Sequence, residues 1–337
     1  MRVYRFDELT GVDGLRRHDE EMPRPQRGEL LLKVRAVSLN YRDIAIARKE
    51  YVRPAAIGLI PCSDAAAEVV ETGEGVEDFA VGDRVLGIFH PRWFGGPMPP
   101  TAAADSYGSG QDGWLAEYKV VSREAVVPLP DSLSDEAGCT LPCAATTAWT
   151  ALGGPLPIRA GQTVLTLGSG GVSVFAVQLA KALGARVVAT TSSAAKGEIL
   201  RSLGADEIVD YTEVPQWGRR VRELTGGRGV DRVVEVGGPA TIDQSLRAVA
   251  QGGEVTLIGF LSRENPGVDF FLLRNSGALT RSITVGHRGD LQNTIRAVTA
   301  AHIAPVIDEV YDFDDAPSAF TSIAEARHVG KIVIRVS

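Results

Sequence analysis

At 337 residues with 44 % apolar side chains, the chain is long enough to bury two cores. Its formal charge of −7 is interspersed along the sequence with no basic block, which argues against nucleic-acid and anionic-membrane partners. No apolar run approaches the ~18–20 residues of a membrane span, the start lacks the apolar core of a secretory signal, and three cysteines without a disulfide-like framework fit a reducing cytoplasm.

Residues 1–125 carry short β-like runs: Glu29–Leu39, Ala65–Glu71, Arg84–Phe89, Trp114–Val121 and Ala125–Leu129. Turns at Gly73–Gly75 and Gly82-Asp83 separate them, and the spacing predicts a compact, mostly-β domain. The stretch Pro91–Gly113, rich in Gly and Pro and holding Trp93 and Phe94, is too long for a plain connection. It reads either as a binding loop, with Trp93, Phe94 and Trp114 as apolar candidates, or as a passive insertion. A helical segment, Ser134–Leu152, leads into the next part.

There the apolar run Thr163–Leu167 enters Gly168, Gly170 and Gly171, and the amphipathic Val172–Leu183 follows at once. This is a strand, a tight turn and a helix, with glycines where a Cβ would keep a diphosphate from the helix N-terminus. Ser173 stands where the third glycine of the usual spacing falls, so the turn alone could be a plain glycine-rich connection. The continuation decides. Arg186–Thr191, Asp206–Asp210, Asp231–Val236, Glu254–Gly259 and Ser282–Gly286 read as strands, interleaved with helices at Lys196–Leu203, Trp217–Thr225 and Ile242–Ala250. Such alternation indicates right-handed βαβ crossovers and a parallel sheet covered on both faces. A dinucleotide is expected at the carboxyl ends of its strands, over Gly168, Gly170, Gly171 and Val172, with Gly237, Gly259 and Phe260 in the turns after the fourth and fifth strands. Leu291–His302 and Ala316–Ala326 read as helices, and Lys331–Val336 as an edge or half-exposed strand returning to the first domain. A substrate cleft is expected between the β-rich domain and those carboxyl ends.

Folds that prefer NAD place an acid near the end of the second strand. Here that region reads Ala189, Thr190, Thr191, Ser192, Ser193, with Lys196 just beyond. No carboxylate repels a 2′-phosphate, and hydroxyls with an ammonium can bind one. The pattern predicts NADP(H) over NAD(H), although Lys196 also reads as a solvated helix-face lysine.

The segments at 37–43 (VSLNYRD), 68–85 (EVVETGEGVEDFAVGDRV), 141–149 (LPCAATTAW), 168–185 (GSGGVSVFAVQLAKALGA), 226–238 (GGRGVDRVVEVGG) and 328–334 (HVGKIVI) come in this order. Together they resemble the medium-chain dehydrogenase/reductase superfamily, in particular its zinc-independent, quinone-oxidoreductase-like alcohol dehydrogenase branch. The resemblance implies an α/β architecture: a GroES-like catalytic domain at 1–125, completed by 290–337, around a Rossmann doubly wound domain at 126–289. It also implies a nicotinamide cofactor, a small-molecule substrate and a homodimer or homotetramer. By resemblance Thr147 lies against the nicotinamide, and Lys196, Tyr211 and Arg327 match residues of similar quinone reductases.

Zinc-dependent relatives hold their metal with a Cys, a His and a second Cys, with a Glu beside the His. The matching places here are Asn40, Ser63, Asp64 and Cys143, of which Cys143 alone is a credible ligand. Residues 86–138 contain no cysteine for a structural zinc lobe, and the five histidines form no close ligand pair. No metal is therefore expected. Charge growing on the substrate oxygen must then meet hydrogen-bond donors. Asn40, in the vacated ligand place, and Tyr51, which recurs in relatives, are the catalytic candidates; Tyr41 and His90 stand behind them, with Asp43 and Asp64 to orient them. Such a site favours quinones and α,β-unsaturated carbonyls, which take hydride at carbon. Alcohol oxidation or carbonyl reduction is the alternative, and a non-catalytic NADP(H)-binding sensor is a third reading.

Overall fold

The N-terminal part forms strands β1 (Arg2–Phe6), β2 (Leu15–Asp19) and β3 (Glu29–Ser38), helix α1 (Tyr41–Ala47), then β4 (Asp64–Thr72), β5 (Arg84–Gly87), β6 (Tyr118–Ser122) and β7 (Val126–Pro128). Helix α2 (Asp135–Gly138), one π-helical turn (Leu141–Ala145) and α3 (Thr146–Leu152) follow. The middle of the chain alternates β8 (Thr163–Leu167), α4 (Gly171–Ala182), β9 (Arg186–Thr191), α5 (Ala194–Ser202), β10 (Glu207–Asp210), α6 (Trp217–Leu224), β11 (Val230–Glu235), α7 (Ile242–Ala248), β12 (Val249–Leu257), α8 (Phe270–Ser276) and β13 (Leu279–Ser282). The chain closes with α9 (Arg288–Ala300), β14 (Ile307–Asp312), α10 (Ala316–Glu325) and β15 (Lys331–Arg335). This computed structural model describes residues 1–262 and 267–337.

The elements gather into two units, one of residues 1–146, 285–299 and 304–337 and the other of 147–284 and 300–303. In the first, a mostly antiparallel sheet has the order β14-β15-β3-β4-β5-β7, with β6 also pairing β3. Its core includes Leu30, Leu32, Trp114, Ile332 and Ile334, and Phe6 meets Phe320 edge-on at 5.9 Å. The segment 126–146, expected with the nucleotide-binding domain, belongs to this unit: β7 pairs with β5, and the hydroxyl of Ser38 donates to the Cys139 carbonyl at 2.8 Å.

Three local expectations change. Lys331–Val336 reads as an edge strand, yet β15 lies between β14 and β3, with Lys331 to Ile334 buried. It is covered by β14, whose sequence IDEVYD is too acidic to read as a strand. Trp114 is a core residue, fully buried with its ring 5.2 Å from that of Tyr107 in the loop, and is therefore not open to a substrate. The single helix expected over Ser134–Leu152 is broken into α2, the π-helical turn and α3, with Pro142 at the break.

The second unit is a parallel sheet of order β10-β9-β8-β11-β12-β13. In strand number this is the doubly wound 3-2-1-4-5-6 arrangement, with its switch point between β8 and β11. β8 and β11 are buried along their whole length, as strands covered on both faces must be. One buried cation interrupts this apolar pattern: Arg232 pairs with Glu254 at 3.2 Å, and Arg281 reaches the same carboxylate at 2.8 Å. Both guanidinium groups also donate to carbonyls at the end of α3, which caps that helix from below. Strand β13 begins and ends earlier than the expected Ser282–Gly286, and residues 285–299 join the first unit.

Phe320 fills the first unit's core, so Phe320→Ala should lower stability by about 3–5 kcal/mol. Calorimetric unfolding of the purified protein checks this.

Candidate active site

The second unit offers a turn built for a diphosphate. Gly168 adopts φ +71°, which strains any side-chain-bearing residue, and a Cβ on Gly168 or Gly170 meets nothing within 4 Å. That open space lies at the N-terminus of α4, capped by Gly170 with no side chain to occupy the amides of Gly171, Val172 and Ser173. Ser173, at the usual third glycine, fits by turning its hydroxyl inward to the Leu167 carbonyl at 2.6 Å. The amide of Gly168 donates to the backbone carbonyl of Thr190 at 3.0 Å, which ties this turn to the end of β9.

At that end Ser192 is exposed and Lys196 half-buried, and among the described residues the Lys196 ammonium has neither ion pair nor hydrogen bond. Tyr211 follows β10, 42 % exposed, with its amide on the Thr191 carbonyl at 3.0 Å. Asp210, the nearest carboxylate along β10, is turned to the amide and hydroxyl of Thr212. The structure thus brings Gly168, Ser192, Lys196 and Tyr211 to the ends of adjacent strands. Arg327 belongs to the first unit, exposed after α10 and paired with Glu325. Thr147 is buried, and among the described residues its hydroxyl has no hydrogen-bond partner, so it is not spent on its own helix.

Across the switch point, the turn after β11 is held by a residue the sequence patterns did not single out. Glu235 is buried and accepts from the Gly237 amide at 2.8 Å, the Gly238 amide at 3.0 Å and the Thr241 hydroxyl at 2.6 Å; the Ser245 hydroxyl binds its other oxygen. Gly259 and Phe260 pack directly against this turn. A Cβ on Gly259 falls 1.9 Å from the Val236 carbonyl oxygen, and the Ser262 amide reaches the Gly237 carbonyl at 3.0 Å. The visible signal was a carboxylate directly after Val233-Val234 and just ahead of Gly237-Gly238.

The first unit carries a second constellation. Asn40 precedes α1, and its backbone amide donates to Asp43 at 2.8 Å. Its side-chain amide donates to Asp64 at 3.0 Å and more weakly to Ser63 at 3.4 Å, while its carbonyl oxygen accepts from Lys331 at 2.6 Å. Asp64 is fully buried and also accepts from the Ser63 hydroxyl at 2.7 Å and the Cys143 amide at 3.3 Å. Burial pushes the Asp64 carboxyl up, pushes Asp43 up to about 6, and, together with Asp64, pushes the Cys143 thiol up. Arg42 lies 5.2 Å from the Tyr51 ring and 4.8 Å from that of Phe89, and donates to the Tyr107 carbonyl at 2.8 Å. Tyr51 is thus set beside a buried cation. His90 is buried, with Nδ1 2.8 Å from the Ala102 carbonyl oxygen. Lys331 is the member that sequence reasoning missed; its signal was a lysine directly ahead of the apolar run Ile332–Ile334.

Two family models match the chain. A zinc-binding dehydrogenase family model matches residues 171–300, and an alcohol dehydrogenase GroES-like domain model matches 26–131. A zinc-type alcohol dehydrogenase-like protein of Schizosaccharomyces pombe is 36 % identical, the alignment covering 100 % of this chain and 99 % of that protein. The chain belongs to the medium-chain dehydrogenase/reductase superfamily. It is an NAD(P)-dependent oxidoreductase. An acryloyl-coenzyme A reductase of Metallosphaera sedula is 28 % identical over 93 % of each chain. A solved mycobacterial protein complexed with NADPH superposes with a TM-score of 0.85 at 28 % identity, covering 100 % of each chain.

The dinucleotide of this superfamily fits the open glycine turn and uncapped α4 amides just described. Zinc does not fit the first unit's cluster. The structure brings Asn40, Ser63, Asp64 and Cys143 together, but they supply an amide, a hydroxyl, one carboxylate already holding four donors, and a thiol that burial keeps protonated. Among the described residues no three His, Cys, Asp or Glu side chains form a metal-holding group.

Because a Cβ at Gly259 collides with the Val236 carbonyl, Gly259→Ala should weaken NAD(P)H binding about ten-fold or more by opening the turn. Fluorescence titration of the reduced cofactor measures this.

Proposed function

We propose that this dehydrogenase/reductase reduces quinones or α,β-unsaturated carbonyls with NADPH and without a metal. The observation that carries it is the end of β9, where Ser192 and Ser193 are followed by Lys196, whose ammonium has no partner among the described residues, and where residues 189–196 include no carboxylate. Hydroxyls and an ammonium bind a 2′-phosphate, while the acid that would repel it is missing. The relation to an NADPH-complexed protein supports the same cofactor.

The cofactor, when bound, supplies the hydride. The chain's own part is to bind and orient. Gly171, Val172 and Ser173 offer amides to the diphosphate, and Gly168 and Gly170 leave it room. The turn held by Glu235, with Gly237, Gly259 and Phe260, shapes the far side of the switch point, and the Thr147 hydroxyl has no partner among the described residues. In the first unit Tyr51 offers a donor to charge developing on the acceptor oxygen, whereas the side-chain amide of Asn40, expected to do the same, is already directed at Asp64 and Ser63 and serves to hold that network together. An enolate or phenolate asks no more than this, whereas an alkoxide demands a stronger acid. The acryloyl-coenzyme A reductase relative is named for an activated C=C substrate, which supports the enone class. Phe270 and Phe271, 67 % and 69 % exposed just ahead of the open edge strand β13, support a homo-oligomer.

Initial rates of NADPH and NADH oxidation with benzoquinone, 2-cyclohexenone, butanal and, in reverse, alcohols test the reading. Turnover confined to the first two acceptors, with NADPH preferred, is expected; faster turnover of aldehydes or alcohols, or tighter binding of NADH, refutes it. Tight NADPH binding with no turnover points to the non-catalytic role. Lys196→Ala should raise KM for NADPH about ten-fold while leaving that for NADH nearly unchanged.

A further inference from the structure

The polar cluster of the first unit contains a cation of its own. Lys331, at the start of β15, is buried to 2 % exposure in a strand whose next three residues are Ile332, Val333 and Ile334. Its ammonium donates to the Leu39 carbonyl at 2.5 Å and to the Asn40 side-chain oxygen at 2.6 Å. The other end of the same amide donates to Asp64 at 3.0 Å. Asn40 therefore bridges a buried ammonium and a buried carboxylate, and its backbone amide holds a second carboxylate, Asp43, which lies 3.9 Å from Arg42. Two cations and two carboxylates balance inside one buried site. Of these side chains, Asn40 and Asp64 are the two that the resemblance matches to metal-site positions of zinc-dependent members of the superfamily. An isolated charge in such surroundings is strongly unfavourable, so removing one member exposes its partner.

We infer that the Lys331 ammonium is the resident cation of this site, a positioning residue that sets the Asn40 amide and balances Asp64 where a divalent metal would otherwise be needed. Lys331 acts through Asn40 and Asp64, since those are the groups its ammonium orients, and the assignment holds whichever acceptor the enzyme reduces. A divalent ion added here would meet a cluster already neutral, with its best oxygen donors taken.

Wild-type enzyme, Lys331→Met, Lys331→Arg and the double variant Lys331→Met with Asp64→Asn are each incubated with excess zinc chloride and desalted. Metal content, melting temperature, and kcat and KM with NADPH and benzoquinone are then measured. Wild type and Lys331→Arg should hold well under one zinc per chain, and Lys331→Met should melt lower. The double variant should recover part of that loss, because the carboxylate left alone by the single change is gone. With Lys331→Met, kcat should fall about ten-fold while KM for NADPH stays within about two-fold, and Lys331→Arg should restore most of it. Stoichiometric, tightly held zinc in the wild type, a Lys331→Met enzyme that melts and turns over like wild type, or a double variant no more stable than Lys331→Met overturns the inference. Should Lys331→Met fail to fold, the double variant still decides: folded supports the inference, unfolded overturns it. Metal content and melting temperature do not depend on the acceptor, so they report on Lys331 even where benzoquinone is not turned over.

Discussion

The first unit is organised around one buried carboxylate. Asp64 opens β4, yet it receives hydrogen bonds from Ser38 at the end of β3, Asn40 ahead of α1, its neighbour Ser63, and the Cys143 amide in the π-helical turn. Through Asn40 it is linked to Lys331 of β15. Segments nearly three hundred residues apart in sequence are thus fixed by a single group. Such a network is stable only when every member is satisfied, since an unpaired buried charge costs far more than a lost surface contact. The backbone pays attention to it: Cys62, two residues before Asp64, takes the left-handed φ of +72°, held by the Trp114 amide on its carbonyl at 3.0 Å.

The second unit solves a similar problem with a different carboxylate. Glu235 ends β11, and its four donors fix the turn that faces the glycine turn of β8 across the switch point. One turn is thereby left open and rich in free amides, while the other has its amides committed and presents small residues instead. The division makes chemical sense. A diphosphate needs donors and the positive end of a helix, whereas a ring and its ribose need a firm, close-fitting surface. The same residue type that would be a catalytic acid elsewhere is here a structural anchor in both units.

The parallel sheet was legible because its signals are local: β8 and β9 run as expected from their apolar composition, and the glycines of the first turn have one conformational reason to be there. Strand β14 escaped because IDEVYD lacks a regular alternation of polar and apolar residues, is half acidic and so resembles a loop. Helix α8 escaped for the opposite reason: Phe270 and Phe271 stand exposed, so no apolar stripe marks it. At the sites, Asn40 and the residues around Lys196 could be found from position along the chain. Lys331 and Glu235 could not, because each owes its role to partners brought near by the fold, and a lysine before KIVI-like apolar residues looks like the solvated end of a strand.

The charge balance around Asn40 bears on the kind of acceptor this unit can serve. Asp43, pushed up to about 6, stays largely ionised at neutral pH beside Arg42, and Asp64 is matched by Lys331. A cluster whose charges cancel projects little net field, in contrast to a site that concentrates positive charge on a substrate oxygen. Under the proposed function these groups offer little Lewis-acid-like polarisation, and an acceptor with its own electrophilicity is the expected substrate. A quinone or an enone does, because conjugation spreads the incoming charge over several atoms before any proton is added. A plain ketone does not, which is why the proposed function favours conjugated acceptors over one whose reduction leaves a localised alkoxide.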